Sequence, residues 1–128
     1  MMMVPEGGRL RKEHPDLDRL VKLCETELGA VEVWLFGSRA RGDHHVDSDF
    51  DVLAVLPDDA PDNADDPMTV YNLRRQSGLH ADLLVARLTE FREAFDSVTT
   101  LACIVNREGV RLDDTREIPT DPIDVASL

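Results

Sequence analysis

The segment Gly37-Ser38-Arg39-Ala40-Arg41-Gly42-Asp43-His44-His45-Val46-Asp47-Ser48-Asp49-Phe50-Asp51 lies between two apolar runs, Val31-Glu32-Val33-Trp34-Leu35-Phe36 and Val52-Leu53-Ala54-Val55-Leu56. Both runs are aliphatic or β-branched, too short for a good helix, and close on Gly37 or Pro57, so each reads as a strand. The first strand thus ends in a Gly-Ser bend, and the second opens on two carboxylates one residue apart. Alternate residues of a strand point to one face, roughly 6.6–7 Å apart along the chain. Asp49 and Asp51 therefore share a face while Phe50 points the other way, into a core. Two neighbouring acids repel each other unless something positive sits between them. A divalent metal, or a pair of them, is the natural occupant.

Outward from this segment the pattern alternates helix and strand. Val31, Val33 and Leu35 alternate with Glu32, Trp34 and Phe36, and both faces are largely apolar, so this strand is expected at a covered, central position. Upstream, Pro15 suits the first position of a helix. Leu17, Leu20, Val21, Leu23, Cys24 and Leu28 then recur at steps of three and four, with Gly29 just past the end. Residues 1–13 have no period and are expected to form a flexible lead-in. After Gly37, Ser38 is expected to cap a short helix beginning near Arg39. Residues 43–48 then loop back to the second strand, with Ser48 capping or orienting that loop. His44 and His45 read as exposed loop residues, and no Cys or second His cluster stands at zinc-ligand spacing.

Pro57 to Pro67 holds Asp58, Asp59, Asp62, Asp65 and Asp66 with three prolines, and reads as an exposed acidic connector. Asp66-Pro67 opens a helix whose apolar side is Met68, Val70, Tyr71 and Leu73, with Gly78 ending it. Trp34 and Tyr71 read as packing residues. Leu79 to Ala86 is a third strand with Asp82 inside its apolar run. A buried carboxylate without a partner is rare, so Asp82 is either a strand-edge acid turned to solvent or a third acid beside Asp49 and Asp51. Thr89 to Glu93 starts a helix with Phe91, Ala94, Phe95 and Val98 on one side. Leu101, Cys103, Ile104 and Val105 continue helical material to Gly109, and Val110 to Leu112 adds a last short strand. Residues 113–128 carry Pro and Asp without period and are expected to form a flexible tail. That leaves residues 14–112 as one domain.

Composition narrows the function. The 128 residues leave room for one real core, and 42% hydrophobic with 31% charged residues is a soluble globular composition. No apolar run approaches membrane-spanning length, and the start is too short and too soon interrupted for a signal peptide, so a cytoplasmic setting is expected with no membrane contact. Cys24 and Cys103 have no metal-ligand or redox spacing and are expected as buried, reduced thiols. A net charge of −12 argues against direct nucleic-acid binding, which needs clustered Lys and Arg. With Lys12 and Lys22 as its lysines and acids dominated by Asp, the chain suits a salty medium, where repulsion is screened, or a basic partner.

Gly37-Ser38, the ten residues Arg39 to Ser48, and Asp49-Phe50-Asp51 together resemble the Gly-Ser…Asp-x-Asp pattern of the DNA polymerase β-like nucleotidyltransferase superfamily. The wording Gly-Ser-Arg-Ala-Arg-Gly and the Ser48-Asp49-Phe50-Asp51 ending are similar to the minimal nucleotidyltransferases, small prokaryotic proteins often paired with a HEPN-domain partner. The likeness runs from about Val31 to Leu112. It implies an α/β (α+β) fold, a mixed sheet of about four strands with flanking helices, and an aspartate on the strand after the intervening helix, which Asp82 matches. It implies ATP as donor and two Mg²⁺ ions as metals. It further implies an antitoxin that adenylylates a tyrosine of a HEPN ribonuclease toxin. The chain lacks the helical second domain that larger antibiotic-modifying relatives use, so a partner chain would supply the acceptor surface.

Nucleotidyl transfer places charge on a leaving pyrophosphate while an attacking oxygen is activated, and a pair of metals about 3.5–4 Å apart serves both ends. Asp49, Asp51 and Asp82 are the expected catalytic and metal-binding residues, with Asp82 accepting the proton of the attacking hydroxyl. Gly37 and Ser38 are expected at the triphosphate, through close backbone approach and a hydroxyl. Arg39 and Arg41 have two readings, contact with triphosphate oxygens or surface pairing with Asp43 or Asp47. Two rival functions stay open: an antitoxin that neutralises its partner by occlusion without catalysis, and a small-molecule transferase acting on an aminoglycoside-like acceptor.

Overall fold

The computed structural model describes residues 2–3, 6–113 and 118–119. In chain order the elements are β1 (Met2–Met3), α1 (Glu6–Glu13), α2 (Pro15–Glu27), β2 (Glu32–Phe36), α3 (Ser38–Arg41), β3 (Phe50–Leu56), α4 (Pro67–Ser77), β4 (Ala81–Arg87), α5 (Leu88–Glu93), α6 (Leu101–Glu108), β5 (Val110–Arg111) and β6 (Ile118–Pro119). Short 3-10 turns occupy Asp62–Asp65 and Ala94–Asp96. Four strands form one mixed sheet in the order β4-β3-β2-β5, while β1 pairs with β6 apart from it. β2 is antiparallel to both its neighbours and β3 is parallel to β4. This is the expected mixed α/β sheet with flanking helices, and β2 is central as its two apolar faces require.

Strand alternation splits the sheet between two cores. Phe50, Val52, Ala54 and Leu56 of β3 meet Leu17, Leu20 and Val21 of α2 and Leu73 of α4. Leu53 and Val55, one residue out of phase, meet Phe91 of α5 and Ala102 and Val105 of α6. Each fully buried leucine or valine contributes about 1.5–3 kcal/mol, so the many such side chains on β3 fix its register firmly. Cys24 and Cys103 are buried free thiols on α2 and α6, and burial pushes the Cys24 thiol up to about 12. Among the described residues no helix is long and apolar enough to cross a membrane.

Several local expectations are corrected. The lead-in is a helix from Glu6 onward, because α1 lies directly against β5. A side chain on Gly7 would overlap the Arg111 carbonyl oxygen, so glycine permits the approach that its low helix propensity argues against. Arg11 fastens α1, its Nε donating to Asp18 Oδ1 at 2.7 Å and its Nη1 to the Leu112 carbonyl at 3.0 Å. The supposed continuous helix after Thr89 is two helices, α6 restarting where Thr100 Oγ1 accepts from Cys103 N. Val98 lies between them and is exposed. On α4 only Leu73 of the expected apolar side is buried; Met68 and Tyr71 face outward. The acidic connector is exposed but anchored by buried Ala64, and Arg87 donates to the carbonyls of Ala60 and Pro61. Of the expected tail, Asp113 is held, its Oδ1 accepting from Val33 N at 3.0 Å. The rest of that expectation falls on residues outside the described set, apart from the short β6.

Candidate active site

The ends of three strands converge at the Gly37 bend. Phe36, the last residue of β2, lies in register with Asp51 of β3, and Asp51 lies in register with Asp82 of β4. Gly37 is therefore set directly beyond Asp51. Its backbone, at φ 75° and ψ −157°, occupies a region essentially reserved for glycine. A side chain there would overlap Asp51 Oδ2. Asp51 is half-buried, whereas Asp49, just before β3, and Asp82 are exposed. Burial, then the nearby carboxylates of Asp82 and Asp49, push the Asp51 carboxyl above its ordinary range, against the opposing pull of Arg41. The sequence left Asp82 two readings, and it satisfies parts of both: it is solvent-exposed on an edge strand, and it neighbours the other acids.

The loop carrying Asp49 is held by Arg39. Its Nε and Nη2 donate to the Ser48 carbonyl at 3.1 and 2.9 Å, and Nη2 donates to the Val46 carbonyl at 3.0 Å. The same guanidinium lies 4.4 Å from the centre of the Phe50 ring, which His14 meets edge-on at 5.1 Å. Ser48 orients the loop as expected, its Oγ accepting from His45 N at 2.9 Å. Arg41 pairs with Asp43 at 3.1 Å and with Glu108 of α6 at 3.0 Å. Arg41 makes the surface pair with Asp43, whereas Arg39 donates to backbone carbonyls in place of Asp43 or Asp47. Ser38 does not cap α3 with its side chain; Gly37 occupies the cap position and its carbonyl accepts from Ala40 N and Arg41 N. His44 and His45 are exposed.

The donor set suits a hard divalent cation. Three carboxylates offer only acceptor oxygens, burial and then the neighbouring carboxylates raise the Asp51 pKa, and Gly37 leaves open the space above Asp51 that any side chain would fill. Among the described residues no three His, Cys, Asp or Glu side chains already surround one point at ligand distance. The acids are neighbours rather than a closed cage. Asp49, Asp51 and Asp82 are the residues that would hold a divalent metal at this open site. Sequence reasoning missed Phe50 and Arg39 as the pair that aims the Asp49–Asp51 segment. An aromatic residue between two acids, eleven residues after an arginine, was the available signal.

The parallel strands β3 and β4 begin side by side at neighbouring carboxylates beside the Gly37 bend. The chain matches the nucleotidyltransferase domain family over residues 17–112 and belongs to that family. It is thus an enzyme of the nucleotidyltransferase type. The match starts earlier than the sequence likeness from Val31, taking in α2. No curated protein sequence matches the chain. Among solved structures it is similar to a toxin-antitoxin crystallised with AMP-PNP, at 24% identity over 74% of this chain and 70% of that one, with a TM-score of 0.49. It is also similar to a Sulfolobus solfataricus protein provisionally assigned as a nucleotidyltransferase, at 22% identity over 61% of this chain and 78% of that one, with a TM-score of 0.36.

Proposed function

We propose that the chain transfers an adenylyl group from ATP to a hydroxyl of a protein partner, with Mg²⁺ held by Asp49, Asp51 and Asp82. The observation that carries this reading is the register Phe36–Asp51–Asp82, which sets two acids side by side under the Gly37 bend. Bound divalent metal supplies positive charge to the triphosphate and activates the attacking oxygen. Gly37 keeps the approach to Asp51 clear for phosphate, with Ser38 beside it. Asp82, exposed on the edge strand, takes the proton of the incoming hydroxyl. Arg39 fixes the loop so that Asp49 and Asp51 keep a common aim.

The partner in this reading is a HEPN-domain toxin whose tyrosine accepts the adenylyl group, and the chain acts as its antitoxin in the cytoplasm. Support comes from the Gly37–Gly42 wording. Incubation with labelled ATP, Mg²⁺ and a catalytically dead HEPN partner tests it. Label transfer that vanishes in the Asp49→Ala/Asp51→Ala variant is the expected result. Tight binding without transfer overturns it in favour of occlusion.

A further inference from the structure

β4 is an edge strand. Phe50 N donates to the His80 carbonyl at 3.1 Å, and in a parallel ladder alternate residues turn their backbone groups to the same side. The amides and carbonyls of Asp82, Leu84 and Ala86 therefore face β3, and those of Ala81, Leu83 and Val85 face outward. Among the described residues no strand pairs with that outer side. Beside it runs a groove of about 390 Å³ between β4 and α4, whose lining includes Val70, Tyr71, Asp65, Leu84 and Asp82. Tyr71 on the α4 side and Leu84 on the opposite face of β4 are large side chains left 48% and 42% exposed. The groove thus runs along an unpaired backbone edge and reaches Asp82.

We propose that this edge is the acceptor dock: an extended, lysine- or arginine-bearing segment of a partner protein pairs with β4 as an added strand and presents its hydroxyl level with Asp82. The inference rests on the transferase reading of the carboxylates. Side chains directly opposite across a ladder stand about 4.5–5.5 Å apart at Cβ, so a hydroxyl residue opposite Asp82 falls on the Asp51 side of the sheet. Its flanking residues fall on the α4 side, against Tyr71 and Val70. Charge selects the occupant. Asp65 and Asp82 line the groove with Arg74, Asp65 standing 3.8 Å from Arg87, and the chain carries −12 overall, which repels nucleic acid and a second copy of itself alike. Once docked, the hydroxyl oxygen bonds to the α-phosphorus of the nucleoside triphosphate. The bond from that phosphorus to its leaving bridging oxygen breaks, pyrophosphate departs with the electron pair, and the hydroxyl proton passes to Asp82 and then to water.

The test is amide hydrogen exchange on the whole chain with a short peptide alternating lysine and valine around a central tyrosine. A matched peptide with glutamate in place of lysine is the control, and label transfer from ATP with Mg²⁺ is followed in the same samples. The lysine peptide is expected to slow exchange at Leu83 and Val85 about tenfold or more, and the glutamate peptide to leave it unchanged. Leu84→Lys, at a side chain already in solvent, is expected to abolish that protection. Absence of protection, equal protection by both peptides, or protection in the chain alone that rises with its own concentration overturns the dock. Protection without transfer upholds the dock and fails the transferase reading; transfer without protection does the reverse.

Discussion

Gly37 and Asp51 are in direct apposition: a methyl on Gly37 would overlap Asp51 Oδ2 and stand 3.2 Å from its Cγ. Gly37→Ala therefore meets two penalties, a backbone conformation that L-residues avoid and a displaced carboxylate. A loss of about 1–3 kcal/mol in urea-unfolding stability is expected from the backbone alone. Nucleotidyl transfer should fall further than stability explains, because Asp51 must move. A variant that keeps both full stability and full transfer would contradict the apposition.

Arg39 and Arg41 should part company on mutation. Arg39→Lys loses the fork that grips the Ser48 and Val46 carbonyls, and lysine cannot stack as a plane on Phe50. A drop of about tenfold or more in transfer is expected, since misplacement of a reacting group by about 1 Å costs on the order of 10²-fold. Arg41→Ala breaks exposed pairs worth little, so its stability should shift by less than about 1 kcal/mol. Equal thermal and kinetic effects from both would refute the clamp.

Asp113 provides a pH signature. Burial favours its neutral form, but donation from Arg111 at 2.8 and 2.6 Å and from Val33 N outweighs that and holds its carboxyl below the ordinary range. A pKa depressed on folding gives stability that is present above the unfolded value and lost as pH falls through the folded one. Asp113→Asn should cost roughly 1–3 kcal/mol at neutral pH. The gap between variant and parent should close below the usual carboxylate range. A gap that persists into strong acid would mean the cost is steric.

Mg²⁺ with a non-hydrolysable ATP analogue should stabilise the chain against heat. At a ligand concentration a hundred times its Kd, linkage gives about 2.7 kcal/mol. Asp49→Asn combined with Asp51→Asn should erase the metal-dependent part of that shift. The same shift in the double variant would place the metal elsewhere.

Salt should also matter. With a net charge of −12, the native state carries self-repulsion that added electrolyte screens. The midpoint of thermal unfolding is expected to rise steadily as KCl goes from dilute buffer to about molar concentration. A flat response would assign the acidity to a basic partner instead of to the medium.

What the sequence disclosed, and what it hid, follows from the range of the forces involved. Asp49 and Asp51 sharing a face depends on strand alternation alone, and Asp82 stood out as an acid in an apolar run. Both are local patterns, and the parallel pairing of β3 with β4 joined them. α1 was illegible because its reason lies more than a hundred residues away, where the Arg111 backbone accepts the bare face of Gly7. Tyr71 looked like core because Met68, Val70, Tyr71 and Leu73 were read as one apolar side, yet only Leu73 of them reaches a buried position. Arg39 was read by its charge alone. Its partners are carbonyls and an aromatic ring, which no pattern of charges reveals.

Phe50 sits with an acid on either side, an arginine 4.4 Å from the centre of its ring and a histidine from the start of α2 against its edge. It works as a pivot. Any substitution that tilts this ring, even at His14 in a separate helix pair, swings Asp49 and Asp51 in concert. Genetic drift far from the acids would thus surface as altered turnover with the chain still folded.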